Sequence, residues 1–188
     1  KAEQLVDKAL DLEPNNAFVL AIDGMVRSRS SVCHTLAMER FQHAIDIEPC
    51  NPLPHLLRSR LYAFSGEGAR AVESVERAIS LSPLDPHRYF YDGLAAAAHL
   101  ANNDFAKSLE LAERSVEANP RHTSSLRAKA VAETMLGRGH EASLTMARLR
   151  RLEPELTVER YLRSHPARDL PMCKAWADAL REAGLPQN

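Results

Sequence analysis

The sequence predicts an all-α protein, built as a right-handed solenoid of antiparallel helix pairs. Only seven glycines and 5% aromatic residues occur in the 188 residues, which is poor material for a β-sandwich. An apolar residue, any residue and then proline recur near the ends of successive helical stretches, at Pro14, Pro49, Pro83, Pro120 and Pro154. Spacings of 34 to 37 residues between these prolines are typical of a protein built from small helical repeats.

A small, a bulky and a small residue precede the proline in a constant register. Ala37, Phe41 and Ala44 precede Pro49 in this way, and the same register occurs at 2–9 and 71–78. Separations of four and three residues place the side chains on one face of a helix. Small residues let a neighbouring helix approach closely, and proline ends the helix because it lacks an N–H donor.

The repeats divide the chain into an array over residues 1–154 and capping helices over residues 155–188. The array begins with an unpaired second helix, and pairs follow at 17–29 with 35–48, 52–64 with 68–82, 87–102 with 104–119, and 122–136 with 139–152. The capping helices are predicted at 155–164 and 170–183. A solenoid end needs a polar outer face, which Asp178, Arg181 and Glu182 provide while Trp176 and Leu180 turn inward.

These residues resemble the tetratricopeptide repeat (TPR), a helix–turn–helix unit of 34 residues. Gly66, Gly137 and the sequence around Asn103 fall at the turn between the two helices of a unit, and Gly24 and Ala130 fall at its small position. The resemblance covers residues 1–154, although the tryptophan typical of the unit is missing there. It implies a TPR superhelix whose first helices line a concave surface that holds the ligand.

A second resemblance concerns the protein to which this chain belongs. The connection Pro83-Leu84-Asp85-Pro86 and the ending Glu182 to Pro186 are similar to the C-terminal TPR region of bacterial multidomain regulators. There the repeats follow a class III adenylate or guanylate cyclase domain or a winged-helix DNA-binding domain. The resemblance implies a bacterial, cytoplasmic signalling protein, and both alternatives for its upstream domain stay open. Because Lys1 replaces an initiator methionine, we expect the chain to be a fragment.

Composition argues against several classes of function. With 24 Lys and Arg against 25 Asp and Glu, the chain has a net charge of −1, which disfavours direct nucleic-acid binding and a membrane-surface role. Three widely spaced cysteines indicate free thiols in a reducing compartment. Cys33 and His34 are not spaced with His43 and Cys50 as a zinc site requires, and no phosphate loop or hydrolase motif is present. We therefore expect no enzyme activity, metal or cofactor in this fragment.

The function that remains is recognition of a protein, a peptide or another domain of the same polypeptide. The resemblance implies a concave groove that has apolar side chains and scattered arginines. Arginine grips carboxylates through paired hydrogen bonds, and methionine adapts to a partner helix. For Phe64, Phe90 and Leu100 the alternative is packing between helices, which periodicity alone does not separate from exposure in the groove. The groove residues are Phe18, Met25, Arg29, Leu56, Arg60, Phe64, Phe90, Leu100, Arg127, Val131 and Met135.

The first helix carries an apolar face for which the array offers no second neighbour. Leu5, Val6, Ala9 and Leu10 occupy this face in the predicted helix at 1–13. Exposed apolar surface favours association. The sequence therefore predicts fraying of this helix or self-association through it.

Overall fold

A computed structural model describes residues 2–28 and 34–188, which form α-helices and no strands. The all-α prediction is confirmed. In chain order the helices are α1 (Ala2–Leu12), α2 (Ala17–Arg27), α3 (His34–Ile47), α4 (Pro52–Phe64), α5 (Gly68–Leu81), α6 (Arg88–Ala101), α7 (Phe105–Ala118), α8 (Thr123–Met135), α9 (Gly139–Leu152), α10 (Val158–Ser164) and α11 (Pro171–Glu182).

The prolines end the second helices as the sequence predicts. Each of α1, α3, α5, α7 and α9 ends two residues before the proline of its repeat. Proline disfavours the α conformation in the residue before it, so the helix stops there. The start of α10 differs most from the prediction, because the helix begins at Val158 rather than at residue 155. The Thr157 hydroxyl accepts the amide N–H of Arg160 and caps the helix there.

The helices stack as a solenoid. Each first helix contacts the next first helix, in the order α2, α4, α6, α8, and each second helix contacts the first helix that follows it. Successive second helices contact one another less. The stack therefore curves with α2, α4, α6 and α8 on its inner side, which we call the concave face. Within the described residues, no helix is long and apolar enough to span a bilayer.

The small–bulky–small register lies in the core. Ala37, Phe41 and Ala44 are completely buried, and so are their counterparts in α5. Gly24 has no room for a side chain, because an added Cβ would lie 2.6 Å from Cε1 of Phe41. In α1 the register is only partly buried, because Val6 is covered by α2 while Ala2 remains exposed.

Three turns between paired helices need a residue with positive φ. Gly66, Asn103 and Gly137 have φ values of 79°, 58° and 73°. After Gly137, the amide of Arg138 donates to the carbonyl of Glu133 at 2.8 Å, which closes the end of α8. Glycine adopts this left-handed conformation without the steric cost that a Cβ brings.

Gly137 tests this requirement without interference from packing, because no atom lies within 4 Å of the position that a Cβ would take. We expect Gly137→Ala to lower the free energy of unfolding by about 1 kcal/mol through backbone strain alone. Gly139→Ala is the matched control, since that site is equally open and has an ordinary helical φ. Urea denaturation measures both. A neutral Gly137→Ala would show that the turn does not depend on its left-handed residue.

Candidate functional site

The candidate site is a cavity of about 480 Å³ on the concave face. One wall comes from α4, α6 and α8, and the other comes from the chain downstream of the array, between Tyr161 and Trp176. We call residues 158–185 the C-terminal segment and the space beneath it the central cavity. On α6, the lining residues recur every three or four positions from Phe90 to Leu100, so one face of this helix forms the floor.

Six residues that the sequence predicts for the groove line the central cavity. They are Arg60 and Phe64 of α4, Phe90 and Leu100 of α6, and Arg127 and Val131 of α8. Leu100 and Val131 are nearly buried, so they present only a small part of their surface to the cavity.

The other predicted groove residues are not brought to this cavity. Leu56 is 1% exposed and packs in the hydrophobic core, so its assignment to an accessible groove is wrong. Phe18 and Met135 are exposed outside the cavity, whereas Met25 is half-buried against the cluster around Phe41. Arg29 lies outside the described residues.

The C-terminal segment lies on the concave face through a cluster of rings around His165. The imidazole ring centre is 4.9 Å from that of Phe64, 5.1 Å from that of Tyr161 and 6.0 Å from that of Trp176. Farther along, Leu170 lies over Gly66, with its Cδ1 3.5 Å from the position that a Cβ there would take. The predicted capping helices therefore extend from α8 back to the end of α4.

The C-terminal segment is also held at its ends. The Thr134 hydroxyl of α8 shares its proton between the carbonyl of Ala130 at 2.9 Å and that of Ala179 at 3.3 Å. The amide of Val158 donates to the carbonyl of Pro186 at 2.9 Å, so the end of the chain closes the start of α10. As predicted, Trp176 and Leu180 are buried while Asp178, Arg181 and Glu182 are exposed.

The charge in the central cavity is positive. Arg60 and Arg127 line it, and none of the described lining residues is acidic. Arg60 lies over the ring of Phe64 at 5.5 Å and donates to the Ser28 hydroxyl at 3.3 Å. Arg127 donates to Glu153 at 2.6 Å and to the Ser124 hydroxyl at 3.1 Å, so part of its guanidinium has a structural role.

The two histidines of the central cavity lose affinity for protons in this surrounding. Burial, followed by the charges of Arg127 and Arg60, lowers the pKa of His165 to about 4. Burial and the charge of Arg127 also lower the pKa of His122. Both rings are therefore mainly neutral near pH 7.

A chain of hydrogen bonds orients His122. Ser115 donates to the carbonyl of Tyr89 at 2.6 Å, so its oxygen accepts from Ser125 at 2.7 Å, and Ser125 accepts from Nδ1 of His122 at 2.7 Å. The sequence analysis missed this group and Gly93 beside it. An added Cβ on Gly93 would lie 2.8 Å from Cε1 of His122, which explains a glycine inside α6.

Two of the three cysteines lie in the part of the chain that the structure describes. Cys173 is buried against Tyr161, and burial raises the pKa of its thiol to about 11, which keeps it protonated. Cys50 is exposed, and Cys33 lies outside the described residues. Within residues 2–28 and 34–188, no three His, Cys, Asp or Glu side chains are grouped as a metal site requires.

Comparisons with known proteins show the fold. No protein-family model and no curated protein matches the chain. The chain is similar to the crystal structure of YrrB, described as a TPR protein with an unusual peptide-binding site, with 15% identity over 97% of this chain and 92% of that one and a TM-score of 0.60. It is also similar to PilW, a type IV pilus biogenesis factor, with 17% identity, 95% and 79% coverage and a TM-score of 0.66. A structure of MamA gives 14% identity, 88% and 91% coverage and a TM-score of 0.60. The TPR fold that the sequence predicts is thereby confirmed.

The low pKa of His165 makes attachment of the C-terminal segment dependent on pH. The folded pKa of about 4 lies below the value of about 6.5 for an unfolded chain, so the unfolded state binds more protons between these pH values. The contribution of His165 to the free energy of unfolding is therefore fully retained above pH 6.5. It falls by about 3 kcal/mol as the pH drops toward 4. Urea unfolding followed by Trp176 fluorescence measures the loss.

His165→Gln separates this effect from general acid denaturation, because the amide cannot gain the charge. We expect the variant to lose less stability than the wild type between pH 6.5 and 4. The exposed His140→Gln is the matched control and leaves the pH profile unchanged. Identical profiles for the wild type and His165→Gln would contradict the burial of a neutral imidazole in this cluster.

Proposed function

We propose that this chain is a non-catalytic interaction module that binds a protein or peptide segment on its concave face. The observation that carries the proposal is the inner wall of α4, α6 and α8, which combines aromatic side chains and arginines with no acid among the described lining residues. Such a surface attracts a segment that carries both an apolar side chain and a carboxylate. The peptide-binding site described for YrrB supports this use of the same fold.

Arg60 is the residue that we propose to contact the carboxylate. Its stacking on Phe64 and its hydrogen bond to Ser28 orient the guanidinium beside the apolar wall. A guanidinium held in this way loses less conformational entropy when it binds an anion. Arg127 is a second candidate, and its ion pair with Glu153 also links α8 to the residue after α9.

The C-terminal segment gives the module an internal competitor. It lies on the part of the concave face formed by Phe64, Phe90 and Val131. A protein segment that uses this part has to displace it, which costs the contacts of His165 and Leu170. We therefore propose intramolecular regulation, in which the C-terminal segment limits access. We also propose that residues 155–188 form a unit distinct from the array at 1–154.

The larger context is also a proposal. The connection at 83–86 and the motif at 182–186 resemble those of bacterial signalling proteins, so we propose that the chain is an arm of a cytoplasmic protein of this kind, with its output activity in another domain. A paired-aspartate metal site in the upstream sequence supports a cyclase, and a basic winged helix supports a DNA-binding regulator. The complete sequence of the polypeptide decides between them.

A charge reversal at Arg60 tests the groove. A peptide is first selected from a random library for binding to the wild-type chain. We expect Arg60→Glu to lower the affinity for this peptide by about tenfold or more, since a charge-assisted hydrogen bond is lost and repulsion replaces it. Fluorescence anisotropy measures the affinity, and thermal unfolding verifies the fold. This check is needed because Arg60 also contacts Phe64 and Ser28.

Arg58→Glu is the matched control, because Arg58 lies on the same helix and lines a different surface groove with Tyr62 and Arg70. Equal weakening by both variants would place the peptide outside the concave face. Arg127→Glu is expected to lower both the peptide affinity and the melting temperature. The melting temperature falls because two carboxylates then lie beside each other where Arg127 and Glu153 now pair at 2.6 Å.

Self-association through α1 is the second interaction that we propose. Leu5 and Leu12 are 60% and 83% exposed, whereas Leu10 packs against the cluster of Ala17, Leu20 and Ala44. We expect the chain to associate as its concentration rises, and Leu5→Glu with Leu12→Glu to restore the monomer. Analytical ultracentrifugation measures the mass.

Leu144→Glu is the control for added charge, because Leu144 is equally exposed but lies on α9. It should leave the association unchanged. A wild-type chain that stays monomeric at high concentration would contradict the proposal. Leu10→Glu is not a suitable variant, since Leu10 supports the packing of α1 on α2.

A further inference from the structure

We propose that the central cavity is a binding site for a small organic carboxylate with an aromatic or otherwise apolar body. This ligand differs from the protein segment proposed above, because the cavity lies beneath the C-terminal segment and the ligand binds while that segment stays in place. Its volume of about 480 Å³ is within the range of small-molecule sites. The proposal is carried by the charge, shape and hydrogen-bonding groups of the lining.

The lining separates charge from apolar surface. Arg60 and Arg127 stand on the two helices that flank α6, while the face of α6 between them is uncharged from Phe90 to Leu100. Because no described lining residue is acidic, the charged side chains that an anion meets in the cavity are those of Arg60 and Arg127. Arg127 uses two of its five N–H donors, on Glu153 and Ser124, which leaves donors for a ligand.

His165 adds a donor of defined orientation. Its Nδ1 accepts the amide N–H of Ala167 at 3.1 Å, so the neutral ring carries its proton on Nε2. Within the described residues, Nε2 has no hydrogen-bond partner, and the ring lines the cavity. A carboxylate accepts from both the imidazole N–H and the guanidinium groups, whereas an ammonium group is repelled by the arginines.

The aromatic side chains define the other end of the ligand. Phe64, Phe90, Tyr161 and Trp176 all contribute to the lining. Aromatic rings favour edge-to-face or offset contacts with a planar apolar group. Because two of these residues belong to the C-terminal segment and two belong to the array, a bound ligand contacts both and stabilises their association.

The only tryptophan of the chain provides a direct readout, since Trp176 lines the cavity. The probes are 4-phenylbutyrate and octanoate, with 4-phenylbutyramide as the neutral control and 4-phenylbutylamine as the cationic control. We expect a saturable change in Trp176 fluorescence with a dissociation constant of about 1 mM or tighter for at least one carboxylate, and at least tenfold weaker binding of the amide and the amine. Hydrogen exchange of residues 158–185 should slow in the complex.

Two variants locate the site. Ala97→Phe fills the space beside α6 and should abolish the fluorescence change while the helical spectrum is retained. Arg60→Gln should weaken carboxylate binding by about tenfold, as expected for loss of a charge-assisted hydrogen bond. Arg58→Gln is the matched control on the same helix and should bind like the wild type.

The proposal is wrong if neither carboxylate gives a saturable signal, or if amide and carboxylate bind equally. In a second outcome, both small acids fail to bind, while a peptide with a free C-terminal carboxylate binds and exposes Trp176. The peptide would then occupy the concave face by displacing the C-terminal segment. That outcome would retain the proposed function and remove this inference. Conversely, small acids that bind with no effect of Arg60→Glu on peptides would retain the inference alone.

Discussion

Close approach of helices at small residues is the constraint on which this structure depends. Phe41 fits against Gly24 because glycine has no Cβ, which would lie 2.6 Å from the ring. Gly68 lets α5 meet the end of α6 in the same way, since a Cβ on Gly68 would lie 2.6 Å from the carbonyl carbon of Ala101. Interiors are packed too densely for such contacts to relax, so the small residues determine where the next helix lies. Gly93 likewise lets the start of α8 approach α6, and α2, α4, α6 and α8 lie side by side on the concave face.

The C-terminal segment changes the shape of this face. Alone, the face would be an open groove, whereas His165 and its ring neighbours turn the middle of it into a partly enclosed cavity. Burial, followed by the charges of Arg127 and Arg60, lowers the pKa of His165 to about 4, so the ring packs in this cluster in its neutral form. The positive charge of the central cavity and the neutral form of His165 are therefore linked, because both involve Arg60 and Arg127.

Much of the array is predictable from local signals. Helix ends follow from proline, turns follow from Gly66 and Gly137, and buried faces follow from the register around Phe41. Site residues are less predictable, because a first helix has one side in the groove and another in the core, and periodicity marks both as apolar. Leu56 is therefore misassigned, while Phe90 of the next repeat does line the cavity.

The sequence by itself determined the all-α class, the repeat length and the buried position of Trp176, since each depends on residues close together in the chain. Only the tertiary structure decided that His165 meets Phe64, about a hundred residues earlier, and that Arg127 is engaged by Glu153. It also decided that Asp23 is completely buried between Arg27 and Arg40. These contacts join distant segments, and their partners are selected by packing of the whole solenoid rather than by local spacing.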